Sequence, residues 1–455
     1  MILDDFKNKK ELLDRLKSAG LTDTAAQNKL KLFCQSHNAL IETGVPGKQQ
    51  VRGIFVPGRI EVLGKHTDYG GGRSIVAAAD KGFCLIAAPR PDRHINIIAA
   101  EMSDHVEFDI DGDLQPTMGH WSNYPMTVVR RVARNFPGAL NGADIAFSSD
   151  LPVAAGMSSS SALMVSIFQV LSAVNQLDQR PEYRNNITDN ESLAGYLGTV
   201  ENGQSYGTLA GDKGVGTFGG SEDHTAMLCG RAGRLSQYRY CPVRFETFID
   251  MPPDHVFVIA SSGVKAEKTG AALQKYNRAT RLASAVIKTW NQQTGRNDQY
   301  MAAILNSGPD ALNKMLNILK TATVDGFNAE QLSRRWEHFY AESEEIIPAA
   351  GAALASGDLE TFGRQVDRSQ KLTNTLLGNQ APETIFLAQT ARQLGAMAAS
   401  AFGAGFGGSV WAMVSAEKSA ALKDDWAMRY KKTYPQHAAN ASFFISHPGP
   451  AAFEL

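Results

Sequence analysis

Gly156-Met157-Ser158-Ser159-Ser160-Ser161-Ala162 is a glycine- and serine-rich segment between a predicted strand at residues 143–147 and a predicted helix at residues 163–177. Glycine allows backbone N–H groups to approach an anion closely, and a helix N-terminus adds partial positive charge at the same point. Serine hydroxyls can bind phosphate or Mg²⁺. No Gly-Lys-Ser/Thr follows, so the segment is not a Walker A loop. It predicts a phosphate-binding loop, with an ordinary serine-rich helix cap as the structural alternative.

Two further segments are rich in glycine. The first, Pro57 to Gly72, places charged side chains in a turn-rich stretch beside predicted strands, where they need either water or a polar ligand. The second, Ala401 to Ser409, has four glycines and precedes a predicted strand at residues 410–414. A Rossmann fingerprint would follow a strand and open a helix, so that interpretation is excluded. The second segment indicates a backbone held close to a ligand or to another domain.

Composition limits the possible functions of the chain. With 455 residues it is long enough for two domains, and a net charge of −1 provides no overall field to attract nucleic acid or anionic lipid. The four cysteines have no metal-ligand spacing and are expected to be reduced thiols. The N-terminus lacks the apolar core of a signal peptide, and no apolar run approaches the ~18 residues that span a bilayer. We therefore expect a soluble, cytoplasmic protein.

The order of predicted elements favours an α+β fold. Residues 3–42 have helical periodicity, residues 51–64 alternate as two strands around a Pro57-Gly58 turn, and β patterns continue through residues 82–110. Long helical patterns dominate after residue 267. Because strands come early and helices later, a doubly wound α/β sheet is less consistent with the pattern.

In this order, the three glycine-rich segments resemble the signature motifs of the GHMP kinase superfamily, and within it those of galactokinases. The Pro57–Gly72 segment resembles the galactokinase signature, Trp121-Ser122-Asn123-Tyr124 resembles a galactokinase Trp-x-Asn-Tyr helix, and residues 262–278 resemble the segment that carries a sugar-contacting tyrosine. The resemblance extends from about residue 50 to 415. It implies a ribosomal S5-like N-terminal domain at residues 1–245 and a ferredoxin-like C-terminal domain at residues 246–455, with the active site between them.

The resemblance also implies residue roles in an ATP- and Mg²⁺-dependent sugar kinase. Asp223 corresponds to the catalytic aspartate, with Glu222 as a rival, and Arg59 to the arginine beside it. Ser160 and Glu201 correspond to the Mg²⁺ ligands, although Glu201 lies further before Asp223 than in the family. The residues expected to bind the nucleotide are Trp121, Gly156, Ser158, Ser159, Ser160 and Ser161.

The sugar-binding residues depart from the family at one position. His66, Asp68 and Tyr276 correspond to residues that hydrogen-bond the hexose, but Lys65 stands where the family has a glutamate that contacts the C6 hydroxyl. An ammonium only donates hydrogen bonds and a carboxylate only accepts them, so the two cannot serve one hydroxyl equally. In one interpretation Lys65 faces a C6 carboxylate, and the substrate is a uronic acid such as galacturonate. In the other, Lys65 points away or pairs with an acid such as Glu61, and the sugar is neutral.

The resemblance therefore implies transfer of the ATP γ-phosphoryl group to the C1 hydroxyl of galactose or a related sugar. Two other functions are considered: a catalytically silent sugar sensor, and a kinase of another alcohol such as mevalonate or homoserine. The sensor is disfavoured because Arg59, Asp223 and the serine loop are all present, and the other kinases because they lack the His66-to-Tyr69 run. The expected partners are the sugar and ATP, without nucleic acid or membrane, in a monomer or weak homo-oligomer.

Overall fold

The computed structural model describes residues 1–102, 104–117, 119–152, 156–264 and 270–455, without the side chains of residues 270–273, 275 and 276. Within these residues the strands are β1 (Arg52–Leu63), β2 (Arg73–Pro89), β3 (His94–Ala99), β4 (Asp104–Asp109), β5 (Ala143–Ser149), β6 (Arg234–Arg239), β7 (Arg244–Asp250), β8 (His255–Ser261), β9 (Ala398–Phe402), β10 (Ser409–Ser415), β11 (Ser442–Ser446) and β12 (Phe453–Glu454).

The helices are α1 (Lys9–Ser18), α2 (Asp23–Glu42), α3 (Asn123–Asn135), α4 (Ser159–Asn175), α5 (Pro181–Arg184), α6 (Asn190–Asn202), α7 (Glu222–Cys229), α8 (Gly270–Thr294), α9 (Met301–Leu305), α10 (Ala311–Leu319), α11 (Ala329–Tyr340), α12 (Ile347–Ala355), α13 (Leu359–Leu372), α14 (Pro382–Gln393) and α15 (Ala416–Thr433). A π-helical turn at Ala341–Ile346 joins α11 to α12. None of the helices in the described ranges is long and apolar enough to cross a membrane.

The strands form two sheets. The first has the order β12-β1-β2-β5-β3-β4, with β6 added to β2 and β7 to β6, and β3 and β5 are its parallel pair. The second is antiparallel, in the order β11-β8-β10-β9. This arrangement confirms the predicted α+β fold.

The predicted domain boundary at residue 245 falls inside β7, and the second sheet begins at His255. The C-terminal strand β12 returns to pair with β1 of the first sheet. The division into residues 1–245 and 246–455 therefore stays a prediction.

Alternating side chains of the first sheet are buried on both of its faces. Leu85 and Ala87 pack into the core that includes α4, whereas Cys84 and Ile86 face the core formed with α1 and α2. This alternation follows from the two-residue period of a strand. It fixes the first sheet between two helical layers.

The predicted turn at Pro57-Gly58 is wrong: β1 is a single strand that continues through both residues. Its partner β2 pairs along this length, and a register shift between Pro57 and Arg59 accommodates the proline, which has no N–H to donate. The partner residue opposite Pro57 is Gly82, where a Cβ would lie 2.2 Å from the Val56 carbonyl oxygen. The continuous strand carries Arg59 and Glu61 toward the site.

Candidate active site

A polar pocket lies where the end of β1, the loop after it, the start of α7 and the loop between β9 and β10 meet. These segments are distant in the chain, and the packing of the second sheet against the first brings them together. The described residues that line the pocket are Arg59, Glu61, His66, Asp68, Tyr69, Glu201, Gly219, Gly220, Glu222, Asp223, Gly403 and Ala404.

An ion pair between Arg59 and Asp223 lies at this pocket. The guanidinium Nε and Nη2 lie 2.7 and 2.6 Å from Asp223 Oδ1, and Nη1 donates to the Gly156 carbonyl at 3.2 Å. Burial alone would lower the pKa of Arg59, but the carboxylates of Asp223, Glu61 and Glu222 together raise it above its ordinary value. The arginine is thus a fixed cation that connects the Gly156–Ala162 segment to Asp223.

Asp223 occupies the first turn of α7, where the partial positive charge of the helix N-terminus favours a carboxylate. Its side chain keeps 21% of its surface exposed, compared with 5% for that of Arg59. The carboxylate can therefore be reached from the pocket while the arginine behind it is shielded from water.

The Gly156–Ala162 segment enters α4 as the sequence predicts, through positive φ angles of 74° at Gly156 and 58° at Ser158. In the described structure the Ser158 side chain does not cap the helix, which leaves the first-turn amides oriented for an anion. Ser159 and Ser160 are partly exposed at this helix start.

Ser161 is fully buried, and its hydroxyl donates to Glu201 Oε2 at 2.7 Å and lies 3.4 Å from Asp223 Oδ2. The serine that contacts Glu201 is thus the residue after the predicted metal ligand, Ser160. Successive residues of a helix point about 100° apart, so the phase at which α4 begins decides which serine faces inward. The predicted Ser160–Glu201 ligand pair stays a prediction.

The oxygens of Ser161, Glu201 and Asp223 fit a Mg²⁺ ion in chemical type, because Mg²⁺ prefers oxygen ligands and usually retains phosphate and water. Among the residues described, no cluster of three or more His, Cys, Asp or Glu side chains could hold a metal by itself. Phosphate and water would therefore have to complete such a site.

Asp68 is a buried carboxylate beside Asp223. It accepts a hydrogen bond from the Glu222 amide at 3.2 Å, and a Cβ at Gly220 would lie 2.4 Å from its Oδ2, so a glycine is needed there. Burial raises the pKa of Asp68 to about 6, against the opposing backbone N–H groups of Glu222 and Tyr69. Burial also raises the pKa of Glu222 well above its usual range, and the nearby Glu61 adds to the rise.

His66 is held in the pocket wall at a positive φ of 57°. Its Nε2 donates to the Ala404 carbonyl at 3.1 Å, so its Nδ1 accepts from the Tyr69 hydroxyl at 3.0 Å. Burial lowers the pKa of His66 to about 4, which keeps the ring neutral near pH 7. His66 and Asp68 thus lie in one pocket with Asp223, as expected from the resemblance of their sequence segments to those of galactokinases.

Lys65 points elsewhere. Its side chain is almost fully buried, and its Nζ donates to Ser400 Oγ at 2.9 Å on β9 of the second sheet. Lys65 does not belong to the described pocket lining.

Tyr276 and Trp121, like Lys65, are not among the described residues that line the pocket. The side chain of Tyr276 lies outside the described residues, although its backbone is in α8. Trp121 precedes α3, where its indole N–H donates to Asp104 at 2.7 Å and its ring meets that of Phe147 with centroids 5.8 Å apart. Its predicted nucleotide contact stays a prediction.

The sequence analysis did not predict Glu61 as a pocket residue, whereas Gly403 and Ala404 belong to the segment that it expected close to a ligand or another domain. Glu61 Oε2 accepts the Gly403 N–H at 3.1 Å. The sequence could have indicated Glu61 as a pocket residue. Residues two positions apart on a strand point to the same face, so Glu61 shares a face with Arg59, which had already been predicted to lie in the site.

Comparisons with known proteins show which families and which fold this chain is similar to. Three family models match: the GHMP kinases N terminal domain at residues 123–207, the galactokinase galactose-binding signature at residues 45–89, and the GHMP kinases C terminal domain at residues 351–432. A galactokinase of Roseiflexus sp. is 29% identical over 83% of this chain and 87% of its own, and one of Chloroflexus aggregans is 26% identical over 88% and 94%. The crystal structure of Lactococcus lactis galactokinase complexed with galactose has the same fold, with a TM-score of 0.74 and 23% identity over 92% of this chain and 99% of that one.

Proposed function

Because this chain belongs to the GHMP kinase superfamily and is an ATP-dependent sugar kinase, we propose that it transfers the ATP γ-phosphoryl group to the C1 hydroxyl of galactose or a closely related neutral sugar. The observation that carries the proposal is the Arg59–Asp223 pair, which lies between the phosphate loop and the pocket containing His66 and Asp68.

In this proposal Asp223 accepts the proton of the attacking hydroxyl and holds that hydroxyl in line with the phosphoryl group. Arg59 offsets the negative charge that develops during transfer, and its own contacts keep it in place before the substrates bind. The uncapped first turn of α4 binds the phosphates through backbone N–H groups.

Glu201 and the neighbouring hydroxyls at the start of α4, those of Ser160 and Ser161, would hold Mg²⁺ together with ATP. Such an ion supplies charge neutralisation for the transferred phosphoryl group. In this proposal the buried Ser161 hydroxyl keeps Glu201 oriented toward Asp223.

A neutral sugar fits the charges of the pocket better than a uronic acid does. The described lining carries the carboxyl groups of Glu61, Asp68, Glu201, Glu222 and Asp223, with the guanidinium of Arg59 as its permanent cation. A substrate carboxylate would meet like charges in a partly desolvated site. The ammonium of Lys65, which could have attracted that carboxylate, is directed at Ser400 instead.

A steady-state assay of ADP release tests the proposal with galactose, arabinose, galacturonate and glucuronate as acceptors, and phosphorus NMR identifies the phosphorylated carbon. We expect turnover with galactose or arabinose and little with the two acids. A preference for galacturonate would establish the uronic-acid alternative, and sugar binding without turnover would establish the silent sensor.

Asp223→Asn is the variant that tests the mechanism. We expect kcat to fall by roughly 10²- to 10⁴-fold, because the amide cannot accept the hydroxyl proton. Asp144→Asn is a matched control, since Asp144 pairs with Arg90 at 3.0 Å on the same sheet but not in the pocket lining. If Asp223→Asn retains near-normal turnover, the assignment is wrong.

A further inference from the structure

Lys65 is a buried cation in a position that the proposed reaction does not use. Its side chain reaches from the loop after β1 to the second sheet, where Ser400 Oγ accepts its hydrogen bond. Burying an ammonium is costly unless it is hydrogen-bonded and near opposite charge. Glu61 is the nearby acid: burial raises the pKa of Glu61, and the charges of Arg59 and Lys65 oppose that rise.

The contact with Ser400 belongs to a closed ring of hydrogen bonds that connects the loop after β1 with β9, α13, the segment before α14 and the loop after β9. Each link measures 2.9 to 3.2 Å between donor and acceptor, and the peptide bond between the first and last members closes the ring. In order, the members of this Lys65 ring are Lys65, Ser400, Gln370, Gln380, Asn379, Ala404 and His66.

The Lys65 ring holds the glycine-rich loop of residues 403–408. Asn379 contacts this loop twice, through its side chain to the Ala404 carbonyl and through its own carbonyl to the Phe406 N–H. The same loop closes against the phosphate loop, because a Cβ at Gly403 would lie only 3.1 Å from the Gly156 carbonyl oxygen. The loop is therefore both a wall of the sugar pocket and a neighbour of the phosphate loop.

We propose that Lys65 is a positioning residue: it sets the place of the 403–408 loop through the Lys65 ring and does not select the sugar. This inference rests on the proposed function, because it assigns the loop to the site of phosphoryl transfer. It accounts for a lysine beside a sugar pocket without requiring an acidic substrate.

Lys65→Met and Ser400→Ala test the inference together, since each breaks the same link from opposite sides. We expect each to lower kcat/KM about 10- to 100-fold, the loss associated with one hydrogen bond to a charged group. The loss should be equal for all accepted sugars, so their order of preference should not change. The kcat/KM of the double variant should lie within about twofold of that of the less active single variant, because both substitutions remove the same hydrogen bond.

Two controls separate this role from general destabilisation. Ser419→Ala removes another buried serine hydroxyl, which donates to the Ala416 carbonyl in α15, and should leave kcat/KM near that of the wild type. Calorimetric binding of a non-hydrolysable ATP analogue should weaken in both ring variants. That measurement needs no sugar, so it tests the Lys65 ring even if the wild type phosphorylates none of the sugars and the proposed function fails.

A change of more than about tenfold in the preference for galactose over galacturonate in Lys65→Met, with Ser400→Ala unaffected, would mean that Lys65 reads the sugar. Wild-type kinetics and analogue binding in both variants would mean that the ring has no part in positioning the loop. Either result overturns the inference.

Discussion

Replacing Asp68 with asparagine should stabilise the protein at neutral pH while weakening sugar phosphorylation. Asp68 lies in the pocket, where burial raises its pKa from an ordinary 3.8 to about 6. The folded protein therefore keeps the proton to higher pH than the unfolded chain does. Between these two values the unfolded state binds fewer protons, so the free energy of unfolding decreases as pH rises.

The magnitude follows from the two pKa values. At about 1.4 kcal/mol for each tenfold change in the dissociation constant, the raised pKa of Asp68 lowers the free energy of unfolding by about 3 kcal/mol at pH 8 and about 1 kcal/mol at pH 4.5. Asparagine has nearly the same shape, can still accept the Glu222 N–H, and carries no charge. The stability advantage of Asp68→Asn over the wild type should therefore increase by about 2 kcal/mol from pH 4.5 to pH 8.

Urea unfolding at 25 °C, followed by tryptophan fluorescence at several pH values, measures this difference directly. The buried Trp290, Trp336, Trp411 and Trp426 serve as reporters. Asp14→Asn, at an exposed position of α1, is the control and should change stability little at either pH. A stability difference between Asp68→Asn and the wild type that stays the same from pH 4.5 to pH 8 would refute the reasoning.

The same carboxylate should govern catalysis, because its ionised form accepts hydrogen bonds with both oxygens, whereas its protonated form donates one through its O–H. Wild-type kcat/KM for the sugar should decrease below about pH 6, the pKa given by burial, and Asp68→Asn should abolish that dependence while raising KM for the sugar. Steady-state kinetics over the same pH range check this.

Three further changes test other parts of the site. Glu201→Gln should raise the Mg²⁺ concentration needed for half-maximal activity by about 10-fold or more, measured by metal titration of the assay, because an amide oxygen is a weaker ligand than a carboxylate. Gly403→Ala should lower kcat and cost roughly 1–3 kcal/mol in urea unfolding, because its φ is +82° and the new Cβ would press on the Gly156 carbonyl; a variant as stable and active as the wild type would contradict this. Lys29→Met should cost about 1–3 kcal/mol in stability, since it removes the buried ammonium of α2 from Asp150, which keeps Lys81 at 3.7 Å and the Gly82 N–H at 2.9 Å; an unchanged unfolding curve would show that the Lys29–Asp150 pair does not stabilise the protein.

Part of the site was accessible from the sequence because its residue types lie in short, recognisable segments. Arg59 and Asp223 were singled out although 164 positions separate them, and the structure brings their side chains into contact. The choice between Ser160 and Ser161 beside Glu201 was not accessible, since it depends on the residue at which α4 begins. Likewise, the predicted Pro57-Gly58 turn failed because the pairing with β2 along the whole strand outweighs the local preference of those two residues.

The sequence alone determined the order of the glycine-rich segments and the strand-to-helix setting of the serine loop, and it predicted a phosphate site in an α+β kinase from them. These are local properties of backbone and residue type. The tertiary structure decided the charge of the pocket around Asp223 and the direction of Lys65. The acceptor of Lys65, Ser400, lies 335 positions along the chain, and only the packing of the second sheet against the first determines which groups a buried ammonium can meet.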